Sequence, residues 1–108
     1  MAARLSLMLV NYFAATNAHD VAAMIAPFAE DSVVEDEGRQ HNGLVAIRDW
    51  MKETIEKYDF KVEPIESSRH ARKSVVLVSL SGKFPGSPIT LQYEFTVDGQ
   101  RIARLEIK

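Results

Sequence analysis

The chain has 108 residues, 46% of them hydrophobic and 26% charged, with a formal net charge of −2 and no cysteine. That length gives one domain, residues 1–108, able to bury a core without staples. The charge balance excludes a nucleic-acid or anionic-membrane surface, and the missing cysteine excludes disulfides, thiolate metal sites and a cysteine nucleophile.

From about Arg4 to Asn17, the residues Leu5, Met8, Leu9, Tyr12, Ala15 and Thr16 recur at helical spacing, so Tyr12 points inward. The periodicity runs on through Phe13 without a small-residue cleavage site, so the N-terminus reads as a structural helix rather than a signal peptide. With no apolar run long enough to cross a bilayer, a soluble cytoplasmic protein is expected. Asn17 or Asp20 caps a second, shorter helix with Val21, Met24, Ile25 and Phe28 on its inner face, and Pro27 ends it. The acid-rich stretch Ala29 to Gly43 follows as a strand, a Gly turn, a return strand and a helix start. A third helix spans about Leu44 to Lys57, with Leu44, Ile47, Trp50, Met51, Thr54, Ile55 and Tyr58 along its apolar stripe.

After Asp59 the period switches to two. Phe60 to Ser67 is an edge or bulged strand because of Pro64, Arg69 to Lys73 a hairpin connection, and Ser74 to Ser81 a buried strand. Gly82 to Pro88 is a loop, and Ile89 to Val97 alternates with Tyr93 and Phe95 on one face. Asp98-Gly99 turns the chain into a last strand, Arg101 to Lys108, where Arg104 and Glu106 share a face with Ile102 as an ion pair or part of a dimer face. This order gives an α+β fold, cone-shaped, with three N-terminal helices packed on a strongly curved mixed, mainly antiparallel sheet. The bottom of such a cone is a natural small-molecule pocket.

The chemistry turns on Asp36, which shares a strand face with Val34. If that face is the inner one, desolvation raises the carboxyl pKa towards the range of a general base that takes a proton beside a carbonyl. If it is the outer one, Asp36 is one acid among Asp31, Glu35 and Glu37 on a solvated turn. Tyr12 either donates to an oxyanion or is a core aromatic; Trp50 and Tyr93 are pocket walls or packing. His41 and Arg39 orient a polar substrate, pair with Asp36, or form a solvated turn pair. His19, His41 and His70 lie on different elements without ligand spacing, so no metal is expected.

Three segments, Tyr12 to Asp20, Phe28 to Asp36 and Gly43 to Trp50, resemble the superfamily of nuclear transport factor 2, ketosteroid isomerase and the SnoaL-like polyketide cyclases. The resemblance implies a cofactor-free small-molecule enzyme, or a non-catalytic ligand-binding or dimerisation module of the same fold. In the enzyme reading Asp36 is the proton shuttle and Tyr12 the oxyanion donor, acting on an apolar carbonyl compound. Phe95 to Gly99 matches the segment that follows the second acid of ketosteroid isomerase, which puts Tyr93 where that acid stands. Val34, Trp50, Tyr93, His41, Phe13 and Phe28 are the expected walls of the substrate pocket. Relatives that activate water with an Asp-Arg-Asp set imply a third option, for which Glu106 is the one candidate second acid. The resemblance also implies a homodimer through the outer sheet face, with no nucleic-acid or membrane partner.

Overall fold

A computed structural model describes residues 5–108; Arg4, the expected first residue of the opening helix, lies outside them. Helix α1 spans Leu7–Asn17, with the Ser6 hydroxyl accepting from the Leu9 N–H at 3.4 Å as its cap. Its far end is tied to the sheet by Asn17, whose amide donates to the Val62 carbonyl at 2.9 Å and accepts from the Val62 N–H at 2.7 Å. Helix α2, Val21–Ile25, starts at Asp20, whose carboxylate accepts from the Ala23 N–H at 3.1 Å. Helix α3 spans Gly43–Tyr58 and stops where Asp59 enters the left-handed region at φ 46°. Among the described residues no helix is long and apolar enough to cross a membrane.

The strands are β1 (Phe28–Asp36), β2 (Arg39–Asn42), β3 (Lys61–His70), β4 (Lys73–Ser81), β5 (Ile89–Asp98) and β6 (Arg101–Ile107). They form one mixed sheet in the order β2-β1-β6-β5-β4-β3, in which β1 runs parallel to β6 and every other pairing is antiparallel. The three helices pack on one face, as the α+β pattern requires. Leu9, Tyr12 and Phe13 of α1 and Ile47, Trp50 and Met51 of α3 meet Val34, Val76, Val78, Phe95, Ile102 and Leu105 from the sheet in one core. Burying each of the larger aliphatic or aromatic side chains contributes roughly 1.5–3 kcal/mol.

Four details differ from the sequence reading. Phe28 is not on the inner face of α2, which ends at Ile25 ahead of Pro27; it opens β1 and is buried there. The β3–β4 connection is two residues, Ala71 and Arg72, rather than the run Arg69 to Lys73. Arg69 pairs with Ser74 and His70 with Lys73, because Ala71 takes up φ 55° and closes the hairpin tightly. Likewise the β5–β6 turn is Gly99-Gln100, with Asp98 already paired to Arg101. Finally, Arg104 and Ile102 point to opposite faces. The register steps from Val97↔Ile102 to Thr96↔Arg104, an extra residue in β6 that reverses the alternation. Arg104 therefore stands on the outer face, bonded to Glu35 at 2.6 Å and to Glu106 at 3.1 Å. Pro64 lies on the edge strand, where the register shifts, as its missing N–H demands.

Gly82, at the end of β4, packs against the chain that leaves α3. A Cβ there would stand 2.6 Å from the Tyr58 carbonyl oxygen and 3.1 Å from Phe60 Cα and Cβ. Those neighbours are mostly backbone and cannot swing aside. Gly82→Ala is expected to destabilise the fold by about 1–3 kcal/mol, the usual cost of overpacking, read as a lower urea midpoint with unchanged slope.

Candidate active site

Within β1 the inward positions are Ser32, Val34 and Asp36, while Val33 and Glu35 face outward. Val34 is fully buried, and Asp36, two residues on, reaches the rim of a cavity of about 180 Å³ enclosed between the helices and the sheet. Asp36, Tyr12 and Tyr93 all line it. They arrive from three elements: the end of β1, the middle of α1 and the inner face of β5. Met24, Phe60, Leu80, Phe84, Leu91 and Ile107 are among the apolar residues of the remaining wall. A few polar groups thus converge at one part of an otherwise apolar chamber, the composition expected of a small-molecule site.

Burial raises the Asp36 pKa above the ordinary aspartate value, because the charged form loses water there. The Trp50 indole opposes this by donating Nε1–H to Asp36 Oδ2 at 3.0 Å, which stabilises the carboxylate and fixes its orientation. Nearby Glu37 pushes the pKa further up, and His41 pulls it slightly down. The phenols of Tyr12 and Tyr93 are both held well above their ordinary range, first by burial. The negative charge of Asp36 adds to the effect on each. Both therefore stay protonated and able to donate a hydrogen bond.

A cluster of rings fixes those phenols. Tyr12 meets Phe13, Phe28 and Phe95 edge-on at centroid distances of 5.5, 5.8 and 5.6 Å, and Tyr93 stands 5.7 Å from Phe13 and 6.1 Å from Phe95. Such edge contacts are each worth roughly 0.5–1.5 kcal/mol beyond area burial. Phe13, Phe28 and Val34, expected as walls, lie in this packed layer and do not line the cavity. They support the site from behind, which is what residues beside an inward Tyr do when the ring itself occupies the surface.

His41 is also off the main cavity. It stacks on Trp50 at 5.9 Å and opens, with Arg39, on a smaller polar pocket that adjoins the first across Asp36. Glu106 is on the outer face, held by Arg104, so the water-activating alternative loses its second carboxylate. Among the lining residues that the sequence reading left out of the site are Thr16, Thr54, Tyr58 and Phe84. Thr16 and Thr54 were legible as inward hydroxyls in apolar stripes. Each donates to a helix carbonyl, Thr16 to Tyr12 at 2.9 Å and Thr54 to Trp50 at 3.0 Å. Tyr58 donates to Glu37 Oε1 at 3.1 Å and meets Phe84 edge-on at 5.8 Å, so a helix end and a loop close one side of the mouth together. Among the described residues no group of three or more His, Asp or Glu could hold a metal ion.

Three helices packed on one curved, mixed sheet, with a cavity between them, give the α+β cone expected from the sequence. The family model for the SnoaL-like domain matches residues 9–105, and the chain belongs to that family. Among solved structures it is similar to a candidate polyketide cyclase from Sinorhizobium meliloti, at 44% identity over 96% of this chain and 95% of that one, with a TM-score of 0.93. A protein of ketosteroid isomerase-like fold from Catenulispora acidiphila, in complex with trimethylamine, matches at 17% identity over 97% and 86% of the two chains, with a TM-score of 0.85. SalBIII, an epoxide hydrolase/cyclase-like enzyme with a role in pyran ring formation in the polyether salinomycin, matches at 20% identity over 93% and 85%, with a TM-score of 0.82. These last two similarities concern the fold. No curated protein matches the chain significantly.

Removing the indole donor isolates its share of the balance at Asp36. Trp50→Phe is expected to raise the Asp36 pKa further, since the bond that favours the charged form is gone while most of the burial remains. Following the carboxyl NMR shift against pH checks this, and an unchanged or lower midpoint would contradict the assignment.

Proposed function

We propose that the protein is a cofactor-independent enzyme that moves a proton at a carbon beside the carbonyl of a small, largely apolar compound, as an isomerase or cyclase does. The observation that carries this reading is the meeting of Asp36, Tyr12 and Tyr93 on one apolar cavity. Asp36, charged and held by Trp50, takes the proton from carbon. The electron pair of that C–H bond passes into the C–C bond as the carbonyl becomes an enolate. Tyr12 is the donor to the enolate oxygen, and Tyr93 is placed to be a second. Protonated Asp36 then returns the proton to the same carbon or to a conjugated one in an isomerisation; in a ring closure the enolate carbon bonds to a second carbonyl carbon and the proton goes to the alkoxide oxygen so formed. The 44% identical relative described as a candidate polyketide cyclase supports the family of reactions. A homodimer through the outer sheet face belongs to the same reading. There Val75 and Leu77 stand beside the ion pairs Lys73–Glu94 and Arg104–Glu35, and sedimentation of the purified chain tests it.

Exchange of carbon-bound hydrogen in deuterated water measures the step directly, with phenylacetone and β-tetralone as probe ketones. Asp36→Asn is expected to lower the exchange rate by at least about 10²-fold, the typical share of a positioned base. Tyr12→Phe is expected to lower it by up to about 10²-fold, as loss of one oxyanion donor does. Enzyme-independent exchange of both ketones, or full activity in Asp36→Asn, would refute the reading.

The pH dependence follows from the direction of the Asp36 shift. The working form is the carboxylate, so kcat/KM falls as pH drops through the raised Asp36 pKa, on an acid limb above that of a free aspartate. Stability runs the other way. The folded chain binds this proton more tightly than the unfolded one, so the contribution is fully present below the unfolded pKa and is lost as pH rises through the folded pKa. Asp36→Asn is accordingly expected to be more resistant to urea than the parent near neutral pH, and no more resistant in acid.

A further inference from the structure

The apolar cavity and the smaller polar pocket share five lining residues: Asp36, Glu37, Trp50, Thr54 and Tyr58. They are two arms of one site, parted by the Tyr58–Glu37 hydrogen bond, with Asp36 at the junction. The polar arm has a volume of about 90 Å³ and is bordered by Arg39, His41 and Lys57. Arg39 pairs in register with Asp36 across the β1–β2 turn, on the same face of the sheet. Several other cations are paired with acids: Lys73 and Lys108 with Glu94, Arg104 with Glu35. Among the described residues neither Arg39 nor Lys57 has a carboxylate within ion-pair distance; the Lys57 ammonium lies 5.1 Å from the Tyr58 ring and interacts with the Tyr58 hydroxyl, with Glu37 as a further charge nearby. Of the three acids that border the arm, Asp36 accepts from Trp50 and Glu37 from Tyr58, while Glu53 lies one helical turn before Lys57 without bonding it.

From this juxtaposition we propose that the polar arm is a subsite for an anionic group of the substrate, held by Arg39 and Lys57. The substrate class becomes an amphipathic carbonyl acid. Its apolar body fills the larger arm, its reacting carbon lies at Asp36, and a short carboxylate-bearing arm crosses the rim beside Tyr58. A guanidinium and an ammonium that form no ion pair with a carboxylate are suited to that group, Arg39 through its paired N–H donors and Lys57 as a point charge. The attraction acts near solvent and weakens with salt.

The inference rests on the reading of the cavity given above, and a matched pair of ligands separates the two. Phenylacetone and phenylpyruvate share an aromatic body and a carbonyl, and differ by a methyl group against a carboxylate. Calorimetric titration of the full chain is expected to show phenylpyruvate binding about fivefold more tightly at low salt, the scale of a partly exposed ion pair. In the double variant Arg39→Gln, Lys57→Gln, and in the parent at high salt, the ratio of the two affinities is expected to fall to about one. Equal or weaker binding of phenylpyruvate by the parent overturns the subsite and leaves the cavity reading intact. So does a preference that survives in the double variant. If phenylacetone neither binds nor exchanges, the cavity reading fails and the subsite with it. Both substituted side chains are exposed, so loss of folding does not confuse the result.

Discussion

The arrangement depends on a layer of aromatic rings between α1 and the sheet. Tyr12, Phe13, Phe28 and Phe95 meet edge to face and Tyr93 tilts against Phe13 and Phe95; apart from Tyr12 with Phe13 and Tyr93 with Phe95, these contacts join distant parts of the chain. A ring on a helix and a ring on a strand can each rotate alone. Packed together they cannot, because interiors are dense and every ring is a wall for the next. The layer thereby sets the height and direction of two phenol hydroxyls. Site geometry here is a by-product of core packing.

Against that fixed pair stands a carboxylate whose charge is opposed and sustained at once. Burial beside aliphatic and aromatic walls disfavours the anion, and Trp50 gives part of that cost back through a directed N–H bond. Neither influence alone makes a useful base. A fully solvated aspartate is too weak a base to take a proton from carbon, and a fully buried one without a donor stays protonated. The third helix supplies both pieces. Trp50 forms part of the wall and makes the bond, and the periodic stripe that buries Ile47 and Met51 also turns Trp50 inward.

Much of this was legible in the chain. Alternation placed Asp36 on the face of Val34, helical spacing turned Tyr12 inward, and the clean alternation of β5 set Tyr93 beside Phe95. What escaped were features decided by distant partners. Phe13 and Phe28 look like any inward aromatic, and only the tertiary layer shows that they stand behind the cavity surface. Arg104 was set on the wrong face because one extra residue in β6 reverses the alternation, and a bulge leaves no mark in the local pattern. Tyr58 and Phe84 were read as helix stripe and loop. Their meeting depends on Gly82 letting the loop approach the helix end, a contact between segments that periodicity treats separately.

The one parallel pairing in the sheet, β1 with β6, also governs when the site can come into being. The acidic strand emerges early from the ribosome, yet its central neighbour is the last strand of the fold, and Glu35 waits for Arg104, 69 positions later. Until then β1 has only the four-residue β2 beside it, and one edge stays open. Contacts of such long sequence separation form late and slow the folding of β-rich domains. The acid is therefore buried only once nearly the whole domain has been made. A nascent or truncated chain would carry an exposed, unpaired strand edge, a hazard for association with other chains.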